Sequence, residues 1–449
     1  MRRITLCIIN IICIFLICGC SNFSKASETM SKDSSYERLK SDNSTIEENL
    51  KNVSSRVRNY GSKGEVETSE YIKDKLIDYG YNVTFQNFDV YKQDLNSTIH
   101  TESNIDYLKK NPYKSEILGK GRNIIATSEK FDKNKKTLYL TAHYDTTDRT
   151  KGVVDNASGT TAVLELGRML KGLEKDFNIS LVFFSAEEHF RSGSKYFVSK
   201  LSEEEKNKII GCINIDMIGE KGVGEITMNS ATGKSNSLSI ALNELTENQY
   251  KLLIGGGSDE LSFYMGEIPA ISFWSDYRDG EGSSDKSEES LDSIDIGTIK
   301  GLCESIANAL GKFDIKSYEN LTNENNVIKS KITDDEKRFC GEFKLIDKKE
   351  VLIGNGYDVE TIYTYENKRN KVIVKEKSSR FIEKSEINKL ISFDSDNNDG
   401  YSIIRDKNKY KIVYKLGYIY GEISSFSNEK EVREFFNVYS KKYSDFEIK

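Results

Sequence analysis

KTLYLTAHYD (residues 136–145) is a short apolar run that closes on a histidine and an aspartate. Lys136–Ala142 has the composition of a buried strand, and His143 and Asp145 follow its carboxyl end. The arrangement recurs along the chain. ISLVFFS (179–185) is a second such run, followed by Glu187 and Glu188. IIGCINIDM (209–217) is a third, with Asp216 near its end, and IPAISFW (268–274) is a fourth. Between these runs the apolar period becomes helical: Val163, Leu166, Gly167 and Leu170 within 158–173, then Ile240–Leu245, then 296–310. Strands alternating with helices over ~250 residues predict an α/β fold, a three-layer sandwich around a mostly parallel sheet. In such sheets the working site lies beyond the carboxyl ends of the strands.

Working outward, a helix is expected from about Thr45, with Ile46, Leu50, Val53 and Val57 on one face. A second is expected from Val66 to Tyr79, closed by Gly80, and then a strand in which Tyr81, Val83, Phe85, Phe88 and Val90 recur. The α/β domain is therefore placed at 46–312. Residues 313–337 are polar and read as a linker. From 338 to 449, short runs of Tyr, Ile and Val split by Lys, Asn and Gly predict a small separate domain, β-rich or α+β, with no histidine and no motif tied to chemistry.

The amino terminus reads as a targeting signal. Arg2 and Arg3 precede an apolar run from Ile4 to Cys18, too short to span a bilayer comfortably. It ends in Leu16-Ile17-Cys18-Gly19-Cys20-Ser21, which resembles the lipobox of bacterial lipoproteins. The resemblance implies a signal peptide at 1–19, lipidation of Cys20, a polar tether over 20–45 and an extracytoplasmic protein held on the cell membrane by its acyl chains. The alternative is a plain anchor helix.

Composition narrows the classes. Of 449 residues, 37% are hydrophobic and 30% charged, which excludes a polytopic membrane protein. The net charge of −6 argues against nucleic acid as a partner. Beyond the signal and Cys20, the cysteines left are Cys212, Cys303 and Cys340, too scattered for a disulfide framework or a CxxC metal site. Cys212 and Cys303 read as small buried hydrophobes.

Taken singly, each polar residue at a strand end has an ordinary explanation. His143 could be a packed histidine, Asp155 a charge at a helix N-terminus, Glu187 and Glu188 surface groups, and Asp216 a buried carboxylate with a partner. Together they place one imidazole and several carboxylates at one sheet edge, and neutral imidazole and carboxylate oxygen are good zinc ligands.

LTAHYDT, GVVDNASGTTAVLEL, FFSAEEHFRSGSKYF, NIDMIG and SDELSFYMGEIPAISF, in this order, resemble metallopeptidase family 28, the zinc aminopeptidase family of the MH clan, over about residues 46–312. The resemblance implies that His143, Asp155 and Asp216 hold one zinc, that Asp155 bridges to a second held by Glu188, and that Asp145 orients His143. It also implies that Glu187 is the general base, taking a proton from the attacking water and returning it to the leaving amine of a peptide substrate.

The chain departs from the family pattern in one respect. A final histidine ligand is expected after the IPAISF strand, yet the histidines are His100, His143 and His189 alone. Counting back from Leu291-Asp292-Ser293-Ile294-Asp295, the expected position falls on Asp285, whose carboxylate could complete the second site and favour harder ions. The family's S-D-H segment reads Ser258-Asp259-Glu260, and no HExxH is present. Three functions follow: a membrane-tethered aminopeptidase, a weakened or inactive pseudo-peptidase acting as a surface binding protein, and a glutaminyl cyclase-like enzyme with a single metal.

Overall fold

Helix α1 (Asn43–Val53) starts where Asp42 accepts a hydrogen bond from Ser44 N–H, and its buried face is Ile46, Leu50 and Val53. Burying each such side chain contributes roughly 1.5–3 kcal/mol. Helix α2 (Lys63–Asp78) is capped by Ser62 and ends just before Gly80. The computed structural model describes residues 39–92, 116–255, 257–277, 290–322, 327–329, 339–368, 370–378, 400–406, 409–416, 419–426 and 428–441. The signal at 1–19, Cys20 and Asp285 lie outside the described residues.

Beyond α2 come β1 (Tyr81–Tyr91), β2 (Ile117–Ser128), β3 (Thr137–His143), a wide helical turn at Val153–Ser158, α3 (Gly159–Leu170) and β4 (Asn178–Phe184). There follow α4 (Ser192–Lys200), α5 (Glu203–Asn207), β5 (Ile209–Ile215), β6 (Ile226–Ser230), α6 (Ser237–Leu245) and β7 (Leu252–Ile254). The domain closes with α7 (Glu260–Met265), β8 (Ala270–Ser275) and α8 (Ile296–Lys312). The eight strands form one sheet in the order β1-β2-β4-β3-β5-β8-β6-β7. Its centre, β4-β3-β5-β8, is parallel, while β1 and β2 run antiparallel to their neighbours and β6 runs antiparallel to β8 but parallel to β7.

The sandwich follows from which residues are apolar. Every residue of β5 is buried, as expected of a central strand covered on both faces. One face packs Leu138, Leu140, Ile213 and Phe273 against α1, α2, α3, α6 and α8. The other packs Val182, Phe184, Cys212 and Ala270 against Phe197 and Val198 of α4 and Phe263 of α7. The expected three-layer α/β sandwich is present.

The expected polar linker is structured at its start. Helix α9 (Ile315–Thr322) buries Tyr318, whose hydroxyl donates to Ile210 O at 2.8 Å, so this helix belongs to the α/β domain. The tail of the expected tether docks as well: Leu39 N–H donates to Asn308 Oδ1 at 2.9 Å. In both places one apolar residue amid polar neighbours decides the outcome.

The second sheet contains β9 (Val327–Lys329), β10 (Phe339–Cys340), β11 (Phe343–Ile353), β12 (Asp358–Glu366), β13 (Lys371–Ser378), β14 (Gly400–Asp406), β15 (Lys409–Leu416) and β16 (Ile419–Phe426). It is antiparallel, in the order β10-β11-β12-β13-β16-β15-β14, with β9 on β11. Helix α10 (Glu429–Tyr439) lays Val432, Phe435, Phe436 and Tyr439 on it, giving the α+β form of the expected small domain. The β11–β12 hairpin touches the α/β domain. Ser237 N–H donates to Gly356 O at 2.8 Å, and the Tyr264 hydroxyl to Asp358 Oδ2 at 2.7 Å.

Candidate metal centre

His143 is the last residue of β3 and is 1% exposed. Its Nε2 lies 3.1 Å from Asp155 Oδ1 and 3.4 Å from Asp216 Oδ1. One ligand-capable atom of each of His143, Asp155 and Asp216 falls within 4.8 Å of the others. The fold therefore gathers the three residues expected at the first metal. Asp145 Oδ1 stands 3.5 Å from His143 Nδ1, on the side of the ring where an orienting carboxylate belongs.

Asp155 reaches this point because its turn is tied to β5. Asn156 Nδ2 donates to Ile215 O at 3.0 Å, while its Oδ1 accepts from Gly159 N–H at 2.9 Å and Met217 N–H at 3.3 Å. One amide thus locks the Asp155 turn to the strand end that carries Asp216. Two glycines make room. Gly152 has φ +50°, and a Cβ there would lie 1.9 Å from Asp155 O. A Cβ on Gly159 would lie 2.2 Å from Ile215 O, so only glycine lets α3 start against β5.

Glu187 and Glu188 follow β4 through Ala186, which has φ +55°. Glu187 N–H donates to Asp145 Oδ1 at 3.0 Å, joining the two strand-end loops. Burial pushes Glu187 well above the usual carboxylate range, and pushes Glu188 up to about 8 with help from the Asp155 charge. Among the described residues, the three-atom cluster does not include Glu188. His189 is used elsewhere: its Nε2 lies 3.0 Å from Tyr91 O and its ring packs on Tyr60.

The fit to a divalent cation can be judged from the atoms left over. Asp216 Oδ1, on the Nε2 side of His143, is buried without a hydrogen-bond partner, which a native protein rarely tolerates, and on the other side of the ring His143 Nδ1 and Asp145 Oδ2 are left likewise. Burial opposes charge on His143, but Asp216, then Asp145 and Asp155, outweigh it and raise the imidazole pKa well above its usual value. Burial raises Asp155 too, against the pull of His143. An imidazole and hard carboxylate oxygens suit zinc and related ions, whose charge would offset this cluster. The donors present fit such an ion.

Four side chains that the strand-end pattern did not single out complete the surroundings. Asn156 was visible only as part of a quoted stretch. Glu65 of α2, pushed up to about 7 by burial, accepts from the Tyr144 hydroxyl at 3.2 Å and from Ser185. Asp259 and Glu260 are fully buried at the start of α7, raised by burial to about 7 and about 8. Neither oxygen of Glu260 has a hydrogen-bond partner. The Ser258-Asp259-Glu260 segment was the signal for these last two.

Comparison with known proteins agrees with this geometry. Residues 123–310 match peptidase family M28. Aminopeptidase YwaD of Bacillus subtilis (strain 168) is 34% identical over 151 residues, 32% of this chain and 33% of that protein. The chain spans about a third of the length of the curated relatives it matches. Among solved structures, a zinc aminopeptidase from Bacillus subtilis superposes with TM-score 0.53 at 18% identity, covering 61% of this chain and 95% of that one. A glutaminyl cyclase from Bacteroides thetaiotaomicron gives TM-score 0.50 at 19% identity, covering 62% and 100%. At such identities these two establish the fold alone. Residues 123–310, which gather His143, Asp155 and Asp216 at the sheet edge, are thus similar to peptidase family M28.

Proposed function

We propose that the protein is a metal-dependent aminopeptidase that removes N-terminal residues from peptides. One observation carries the reading: His143, Asp155 and Asp216 converge at one point of the sheet edge, where Asp216 Oδ1 is buried without a partner, beside the half-buried Glu187 and Glu188. His143, Asp155 and Asp216 would hold one zinc, and Asp155 with Glu188 a second, with Asp285 the residue proposed to complete it. A bound cation supplies Lewis acidity and lowers the pKa of water at the site. Glu187 acts as general base, and its raised pKa suits a group that takes a proton from water and hands it to the leaving amine. Asp145 steadies that work twice, facing His143 Nδ1 and accepting from Glu187 N–H.

The test is hydrolysis of aminoacyl reporter substrates with added zinc, cobalt or manganese. Glu187→Ala should lower kcat by roughly 10²–10⁴-fold while keeping the bound metal. Activity no higher than that of this variant under every metal would refute the reading. The absence of a histidine beyond residue 189 favours a second reading, a weakened pseudo-peptidase that binds peptides or another surface protein. Less than one tightly bound metal per chain would select it. A glutaminyl cyclase-like activity would show as ammonia loss from a Gln-initiated peptide.

We further propose that the protein works outside the cytoplasm, anchored through a lipid on Cys20. The basic start, the short apolar run and the Cys18-Gly19-Cys20 ending support this. Cys20→Ala should leave the chain without acyl label and shift it out of the membrane fraction. Labelling and fractionation like wild type would overturn the assignment.

A further inference from the structure

We propose that Arg58 is a positioning residue of the metal centre, setting the span between His143 and Asp155. It lies between α1 and α2, outside the family match at 123–310, and is 0% exposed. A guanidinium that deep must have its charge and donors satisfied. Here three of the guanidinium donors go to one loop. Nε–H donates to Tyr144 O, Nη1–H to Lys151 O and Nη2–H to Gly152 O at 2.9 Å, while the Arg58 backbone N–H donates to Thr146 Oγ1 at 3.1 Å.

The loop so gripped is residues 144–152, the connection from His143 to the Asp155 turn, and it contains no helix or strand. Its two ends are held by one rigid group: Tyr144 adjoins His143, and Gly152 opens the turn that delivers Asp155. The planar fork of a guanidinium offers fixed, divergent donors to several oxygens at once. An ammonium is a single point and cannot reproduce that span. Asn156 fixes the far side of the same turn to β5. Other bonds hold single points of the loop, Tyr144 N–H to Phe184 O at 2.9 Å and Glu187 N–H to Asp145 Oδ1 at 3.0 Å, but Arg58 ties its two ends to each other through one side chain. Partners that orient ligands typically govern metal affinity by roughly 10–100-fold.

This inference rests on reading His143, Asp155 and Asp216 as a metal centre, though not on the aminopeptidase reading. The experiment is zinc titration of the metal-free mature protein against a chromophoric chelator, wild type beside Arg58→Ala and Arg58→Lys. Both variants should bind zinc roughly 10–100-fold more weakly. Millimolar guanidinium should restore Arg58→Ala toward wild type and leave Arg58→Lys unrepaired. Leu310→Ala, a core truncation in α8, controls for lost stability and should bind zinc like wild type. Should Arg58→Ala fail to fold, Arg58→Lys, which keeps bulk and charge, carries the same test. Zinc affinity unchanged in a folded Arg58 variant, or lowered equally in Leu310→Ala, overturns the proposal. Wild type that binds zinc but hydrolyses no peptide would sink the aminopeptidase reading and leave Arg58 in place. Wild type that binds no zinc sinks both.

Discussion

The two domains bury polar groups on opposite terms. In the C-terminal domain Glu376 is 4% exposed and accepts from the Tyr414 hydroxyl at 2.6 Å and the Tyr439 hydroxyl at 2.9 Å. In the α/β domain His143, Asp145, Asp216, Asp259 and Glu260 are as deeply buried, yet all keep atoms without a partner. Among the described residues, every such orphan lies between positions 41 and 305. One domain has spent its buried polarity on its own stability. The other keeps an imidazole and several carboxylates incompletely paired at its strand ends, where a cation's charge would offset them.

The largest effect that would sharpen this contrast is removal of a ligand carboxylate. Asp216→Asn should abolish tight zinc binding and lower activity by at least about 10³-fold, a loss of about 4 kcal/mol or more. The same substitution should raise the melting temperature of the metal-free protein, because it removes one charge from a crowded, buried cluster. Calorimetry with and without zinc checks both signs. A metal-free protein that melts lower than wild type would mean that the cluster is internally satisfied and the contrast false.

The converse experiment lies in the C-terminal domain. Glu376→Ala removes the carboxylate that accepts from the Tyr414 and Tyr439 hydroxyls, at a cost of about 1–3 kcal/mol. Denaturant unfolding should show that loss, and zinc affinity should stay within about twofold, under 0.5 kcal/mol. A matching fall in zinc affinity would mean that the two domains are not energetically separate.

How much of this was legible in the sequence follows the same physics. Central strands buried on both faces read as continuous apolar runs, so β3, β4, β5 and β8 were visible, and the residues at their ends came with them. Strand β2 was not read, because ILGKGRNIIATS is half exposed and its alternation is broken by glycines and charges. Strand β6, ITMNS, is polar but buried, its partners supplied by β8 and β7. Residues that face a site from a strand end are local to a pattern. Arg58 is not: its acceptors lie 86–94 positions away, and they are backbone carbonyls, which leave no trace in residue type. Asn156 escaped for a similar reason, since its work is done 59 positions away on Ile215 O.

A smaller, graded effect should appear with pH. Asp259 and Glu65 are raised to about 7, and Glu188 and Glu260 to about 8, from ordinary values near 4. A carboxyl whose pKa is higher folded than unfolded holds its proton more tightly in the folded state. Its contribution is thus full below about pH 4 and is lost as the pH rises through 7 to 8. The metal-free protein should lose stability between about pH 5 and 8, and zinc should restore most at the upper end, where the ligands are ionised. Thermal melts across this range decide it. A metal-free melting temperature that climbs with pH would show that these carboxylates are already compensated.

The smallest effect tests the seam between the domains. Tyr264 of α7 donates to Asp358 Oδ2, while Asp358 Oδ1 also accepts from Val359 N–H at 2.8 Å and Thr232 Oγ1 at 3.3 Å. Because Asp358 keeps those two donors, Tyr264→Phe removes one bond without stranding the carboxylate, and should cost only about 1–2 kcal/mol. Tyr264 nonetheless lies one turn beyond Glu260, on a helix whose Ser262 meets Ser194 of α4 at 2.8 Å. If the hairpin merely anchors the second domain, kcat/KM and zinc affinity will not move when stability falls. A loss of activity larger than the loss of stability, with zinc affinity held, would instead make the β11–β12 hairpin part of the machinery that places Asp259 and Glu260 beside the metal centre, and the boundary between the two domains would then run through α7.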